Sequence, residues 1–428
     1  AGEMLEELAR QSDREPHAID HYVMAQTAQA IVKNPKAAIA QYREVLKVRP
    51  DHFRSQFGLF SCYRDLNDLA GQLRHLEACI ALDPRSSLLN YVRGMVYFGV
   101  GQHRSAFEDF DTSVQKNENF SIGYYYRGRM NVVFKDWSSA NSDFTKAISL
   151  DKKDHSVYYW RGIARGRLGL YKEAAADANR ALELSQVDDH LTHFYAARAY
   201  AQAAGAAVAD SKNEPKSVEL GELYRKKALQ VLERAIALGF TDFTRVVPGS
   251  DFTPICDSPD YRRVVLGALS DRIGQREAEL TETKLDPDKQ LELAEWHLAE
   301  IEIRTGAEPP REEDPAKLQD IFDQLRVLAM QGQSSAIGLI PRILQRKGEL
   351  LDRLGKIEEA TKSWQVMAML DKTTPLQLAI DRGHNLAQWG YHARALELLE
   401  AELNAAELDG PCCFIAACVF SLASAAVV

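Results

Sequence analysis

Three short strings, YVRG at 91–94, YYRG at 125–128 and YWRG at 159–162, place Gly94, Gly128 and Gly162 at intervals of 34 residues. Twelve residues after each glycine stands an alanine: Ala106, Ala140 and Ala174. Four residues later come Phe110, Phe144 and Ala178, and three beyond those Ser113, Ala147 and Ala181. Four columns in phase over three copies describe one supersecondary unit, repeated. A unit this short cannot bury its apolar face alone, so neighbours must stack, and the chain grows by adding units rather than by enlarging one core. The spacing predicts two antiparallel helices per unit. The glycine column lets the first helix (helix A) approach the second (helix B), and the aromatic column of helix B fills the space between.

The phase runs in both directions. Upstream, Ala38, Tyr42, Val45 and Pro50 match one unit, and Tyr63, Leu76, Cys79 and Pro84 the next. Pro50 and Pro84 fall where a helix must stop. Downstream, Tyr200 fits helix A, while Ala228, Leu232 and Ala235 fit helix B only across an insert at about 201–220, which reads as a long loop. From Gly239 to Val265 turn residues recur every few positions and predict short helical turns. Residues 266–335 are again helical by pattern, with the loop GAEPPREEDP inside them. The period returns at Gly348, Leu351, Ala360, Trp364 and Met367, and at Gly383, Leu386, Ala395 and Leu399. This divides the chain into an N-terminal array at 1–238, an irregular connector at 239–275 and a C-terminal array at 276–428. The uncharged tail PCCFIAACVFSLASAAVV, 411–428, reads as the first helix of a unit whose second is missing, not as a membrane anchor.

These columns resemble those of the tetratricopeptide-repeat family, most specifically over residues 87–187. The resemblance implies an all-α superhelical solenoid of helix-turn-helix repeats, in two arrays, and a role in binding proteins. A second and less specific likeness rests on the repeat order, the GF-x-D break at 239–242, DYRRV at 260–264 and AACVFSLASAA at 416–426. These are similar to the C-terminal repeat regions of large planctomycete-type serine/threonine protein kinases. That likeness implies a regulatory region of a longer bacterial polypeptide, its kinase domain upstream. It agrees with a chain that starts at Ala1 without a signal peptide.

No catalytic constellation is expected in these residues. Asp-Phe occurs at 109, 143, 242 and 251, never followed by Gly. Tyr63-Arg64-Asp65-Leu66 mimics a kinase catalytic loop, but position 70 is Ala70 where an Asn is required. Walker-type glycine loops and HExxH are absent from the sequence. His190 and His193 follow Asp188 and Asp189 and read as a capped helix start rather than as metal ligands. Cys412, Cys413 and Cys418 read as small buried residues. Neither a cofactor nor a metal is expected. A formal net charge of −9 argues against a nucleic-acid partner, which would demand clustered Lys and Arg. Six cysteines in 428 residues suit a reducing, cytoplasmic setting, or the soluble part of a membrane-anchored protein.

A binding face is then expected on the concave side, lined by helix A. By position in the unit it carries Tyr91, Tyr125 and Tyr159, with Arg129 and Arg167 among them. Tyrosine offers apolar area with a hydrogen-bonding tip, and arginine can clamp a carboxylate, so the pattern suits a protein or peptide partner. The competing reading is that these tyrosines pack against neighbouring helices. Arg93, Arg127 and Arg161 form a second ladder beside the close-packing glycines and read as structural. The Lys/Asn clamp by which some family members hold chaperone tails is not met, since Tyr126, Trp160, Met95 and Ile163 stand in its place.

Overall fold

The computed structural model describes residues 17–371 apart from 186–187, 283–285 and 307, together with 382, 383 and 386. Among the described residues there are eighteen α-helices, two short 3-10 turns and no strand. They fall into two compact units: residues 1–188 with 206–221, and residues 189–205 with 222–428. The repeat positions expected at Ala395 and Leu399 and the tail 411–428 lie outside the described residues.

The first unit stacks five helical hairpins. They are α1 (Ala18–Ala30) with α2 (Pro35–Val48), α3 (Phe53–Asp65) with α4 (Leu69–Leu82), α5 (Ser87–Gly99) with α6 (His103–Lys116), α7 (Ser121–Val133) with α8 (Trp137–Leu150), and α9 (His155–Arg167) with α10 (Tyr171–Leu184). The A helices from α3 onward begin at 53, 87, 121 and 155, and the B helices at 35, 69, 103, 137 and 171, so every step is 34 residues. The turns keep the same beat. Lys33, Asn67, Gly101, Lys135 and Gly169 all take positive φ, from 52° to 82°. Helix starts are fixed by side-chain caps: Asn34, Asp68, Ser86, Asp136 and Asp154 each accept a backbone N–H of the first turn.

The close approach expected of the glycine column is met. A Cβ on Gly94 would stand 2.7 Å from the Phe110 ring, and one on Gly128 2.8 Å from Phe144. The second unit repeats the device, with Gly348 2.7 Å from Trp364. In each case the aromatic lies sixteen residues after the glycine. Ala106, Ala140, Ala174, Phe110, Phe144 and Ala178 have no measurable exposure, which places the two helix B columns in the seam between helices.

The second unit contains α11 (His190–Ala209) up to Gly205, α12 (Ser217–Ala237) from Glu222, α13 (Thr253–Cys256), α14 (Pro259–Glu282), α15 (Pro287–Thr305), α16 (Asp314–Met330), α17 (Ser334–Arg353) and α18 (Ile357–Asp371). Its core gathers Leu298, Leu318, Leu325, Ile343 and Leu350, with Leu351, Ala360 and Trp364 beside it. The loop expected at about 201–220 is largely helix. The helix α11 continues to Ala209, a 3-10 turn follows at Asp210–Lys212, and α12 starts at Ser217. Alanine has the highest helix propensity, and the alanines from Ala201 to Ala207 keep the helix going into the stretch where the sequence pattern predicts a loop. Gly205 is used for approach, since a Cβ there would meet Pro254 at 2.7 Å. The segment read as short turns does hold Phe243–Arg245 and Thr253–Cys256 as single turns, but α14 already begins at Pro259.

Candidate functional site

The arginine ladder beside the glycines is structural in a specific way. Arg93 grips Asp109 through Nε and Nη2, each at 2.8 Å. Arg127 does the same to Asp143 and adds Asp111 at 2.6 Å; Arg161 holds Asp177 at 2.9 and 2.7 Å. Each acid stands one residue before the helix B aromatic column and is almost fully buried. Asn90 and Asn131 donate further hydrogen bonds to Asp109 and Asp143, so the buried carboxylates are well supplied with donors. The sequence carried this signal in the repeated Asp-Phe pairs, 109–110 and 143–144, which serve packing rather than a kinase motif.

Arg129 sits two residues beyond Arg127 and meets no acid. Its guanidinium lies over four rings: Phe98 at 4.8 Å, Trp160 at 5.2 Å, Tyr126 at 5.5 Å and Tyr125 at 5.7 Å. Among the described residues it has no carboxylate partner and no side-chain hydrogen bond. The rings come from three successive A helices, α5, α7 and α9. They bind the cation by their quadrupoles and hold its plane in place. The result is a positive charge, partly exposed, whose donors are unspent.

Of the five residues expected on this face, Tyr125 meets Arg129 directly, and Tyr91 and Tyr159 reach the cluster through Tyr126 and Trp160. Tyr125 lies beneath Arg129, its ring edge-on to Tyr126 at 4.9 Å. Tyr91 meets Tyr126 at 5.6 Å and also packs on Phe110 and Phe120. Tyr159 neighbours Trp160 at 6.2 Å but is itself buried. Arg167 lies apart, exposed and over the Trp137 ring at 5.5 Å. The tyrosines thus do pack against neighbouring helices, as the competing reading had it. Burial pushes the Tyr91 hydroxyl up to about 12 and that of Tyr125 upward too, so both are neutral donors at physiological pH. Tyr126 and Trp160, noted only as departures from a known clamp, complete the cluster.

Sequence reading missed the open grooves of this unit. One, of about 450 Å³, is lined by Phe60, Arg64, Leu69, Tyr91, Met95 and Val100. Another, of about 280 Å³, lies between α1 and α3, with Tyr22, Tyr42, Phe53 and Phe57 in its wall. Phe53 and Phe57 stack nearly parallel, 6.3 Å apart, and are more than one-third exposed. The signal that could have found them is the FxxxF spacing on a helix A, which places both rings on one face.

The remaining motifs resolve into structure. Tyr63-Arg64-Asp65-Leu66 closes α3 and enters the turn at Asn67. Asp189 caps α11 by accepting the N–H groups of Leu191 and Thr192, both at 2.9 Å, and His193 Nδ1 lies 2.8 Å from its carbonyl oxygen. No group of three or more His, Cys, Asp or Glu is placed to hold a metal among the described residues. Among them, too, no helix is long and apolar enough to cross a membrane.

Comparison with known proteins agrees with this geometry at one hairpin. The tetratricopeptide-repeat family model matches residues 155–188, which is α9 and α10. No curated protein matches the chain. Solved structures similar to it include MamA, 22% identical, covering 39% of this chain and 91% of that one at a TM-score of 0.36. YrrB, described as a TPR protein with an unusual peptide-binding site, is 16% identical over 46% of this chain and 96% of its own, TM-score 0.36. A tetratricopeptide repeat protein from Parabacteroides merdae is 14% identical over 56% of this chain and 99% of its own, TM-score 0.39. The matched hairpin shares its helix lengths and its 34-residue step with the hairpins before it, and the described fold is all-helical and built from tetratricopeptide-type repeats.

Proposed function

We propose that this chain is a non-catalytic interaction scaffold whose helix A face in the first unit, the concave face of such an array, holds an extended protein segment. Its carboxylate sits on Arg129, and its apolar side chains lie towards the Phe60–Tyr91–Met95 groove. The observation that carries this reading is the contrast between neighbours. Arg93, Arg127, Arg161 and Arg165 are each satisfied by a buried Asp, while Arg129 is fixed among four rings with no anion. In a chain of net charge −9, a guanidinium left without a carboxylate is a specific attractor for one from outside. Cys62 and Cys79 are free, buried thiols that burial pushes up to about 11 and about 12, so neither supplies a reactive thiolate at neutral pH.

The test is a displayed random-peptide library panned on the full chain. Selected peptides are then titrated calorimetrically against the parent and an Arg129→Gln variant of equal helicity. A hydrogen bond to a charged group contributes about 1.5–3 kcal/mol, so the variant should bind roughly 10- to 100-fold more weakly. Ligands that bind both proteins alike would place the site elsewhere.

A further inference from the structure

A second charged site lies in the other unit, in the segment that interrupts the repeat period. Residues 240–256 have little regular structure, yet Phe240, Phe243, Val246, Phe252 and Ile255 are all buried. Tyr261 donates its hydroxyl to the Val246 carbonyl from within the core. The segment is therefore a packed, fixed wall. Against it, Phe194 of α11 stacks on Phe240 at 4.3 Å. Two arginines share that aromatic platform. Arg245 lies 4.6 Å from the Phe194 centroid and 5.2 Å from that of Tyr195; Arg198 lies 5.7 and 5.1 Å from the same two rings. Between them and the turn at Gly249 opens a pocket of about 310 Å³, lined by Arg198, Arg245, Gly249, Ser250 and Asp251.

We propose that this pocket binds a phosphate-type oxyanion, either inorganic phosphate or the terminal group of a phosphomonoester. Two guanidinium groups on the same pair of rings repel each other, and the acids present do not balance them equally. Asp251 is bonded to Arg198, through Nε at 3.0 Å and through Nη2. Arg245 is paired with Asp242, at 3.9 Å and half exposed, where a pair is worth little. Arg245 spends one donor on the Tyr195 hydroxyl, at 3.0 Å, which fixes its plane and leaves its other N–H groups open. Ser250 Oγ accepts the Phe252 N–H at 3.2 Å, and its own proton has no acceptor among the described residues. Gly249, at φ 92°, carries no side chain to cover the mouth. The pocket wall itself carries two arginines and one aspartate, and its planar cation and hydroxyl donor match a tetrahedral oxyanion.

The experiment uses the full chain. Inorganic phosphate and phosphoserine are titrated separately and followed by phosphorus NMR line width and by thermal melting, with chloride at matched ionic strength as the baseline. Either ligand should saturate, and the one that binds more tightly identifies the source of the oxyanion. The variant Arg245→Gln should weaken binding at least about tenfold, the scale of one charge-assisted hydrogen bond. Removing the competing acid in Asp242→Asn should tighten it severalfold, and Asp242 is exposed enough that the fold is not at stake. Failure of both ligands to saturate on the parent protein overturns the proposal without reference to any variant. So does unchanged binding in Arg245→Gln, or weakened binding in Asp242→Asn.

Discussion

Arg127 and Arg129 stand two residues apart on α7 and meet opposite fates. Arg127 is bonded to Asp143 and Asp111, with Asp143 buried behind the Phe144 column. A buried pair of this kind adds little over an apolar pair of the same shape, but breaking it strands a charge. Asp143→Ala should therefore cost about 3 kcal/mol, the low end for a broken buried pair, because Asp111 still attends the guanidinium. The double variant Arg127→Met, Asp143→Leu should recover most of that loss. Urea denaturation with unchanged slopes checks both, and a double variant no better than the single would refute the account. The arginine ladder was legible as structure because it adjoins the glycines. Its partners were not, since Asp109, Asp143 and Asp177 are sixteen residues away from their arginines, and only the hairpin brings them together. The charge left over at Arg129 was legible as a candidate by its position in the unit, but its ring cluster was not, because Phe98, Tyr126 and Trp160 come from three helices.

At the scale of the element, the 34-residue beat sets helix starts, caps and turns alike. The columns read from sequence were those that hold one kind of residue: glycine, alanine, aromatic. The turn column was invisible because Lys33, Asn67, Gly101, Lys135 and Gly169 share only a backbone conformation. Left-handed backbone costs a residue with a Cβ about 1–2 kcal/mol relative to its right-handed form, and asparagine tolerates it better than lysine. Lys135→Gly should thus stabilise the protein by roughly 0.5–1 kcal/mol after the greater chain entropy of glycine is subtracted. Gly101→Ala, with nothing within 4 Å to clash with a Cβ, should destabilise it by about 1 kcal/mol through backbone strain alone. Thermal melts of the two variants should move in opposite directions; a loss of stability in Lys135→Gly would show that its side chain has a role that its conformation does not explain. The same local logic explains the misread insert. Its Asp, Lys, Asn and Pro at 210–216 do form a break, but the alanines before them extend α11 beyond the length of a standard repeat helix.

At the scale of the whole molecule, the described residues form two compact units whose sequences interleave, with 206–221 belonging to the first and 189–205 to the second. The return segment is tied to α10 by polar contacts. The Tyr171 hydroxyl lies 2.6 Å from Glu214 and 3.2 Å from Asp210, and Lys172 Nζ bonds both Glu214 oxygens at 3.0–3.1 Å. The Tyr171 hydrogen bond, followed by that of Lys172, lowers the Glu214 carboxyl below its ordinary value. A carboxyl lowered in the folded state binds fewer protons there than in the unfolded chain. Its contribution is fully present above the ordinary carboxylate range and is lost as the pH falls through its folded value. The protection factors of the 206–221 amides, their rates divided into the intrinsic rates at each pH, should then fall on acidification, ahead of those of α7 and α8, whose ties are buried. Tyr171→Phe should lower the protection of the same amides at neutral pH and flatten the pH dependence of that protection, with helix content by circular dichroism unchanged. Equal protection of 206–221 in parent and variant at neutral pH would mean that apolar packing alone holds the return segment, and that the tyrosine hydroxyl is incidental to the interleaving of the two units.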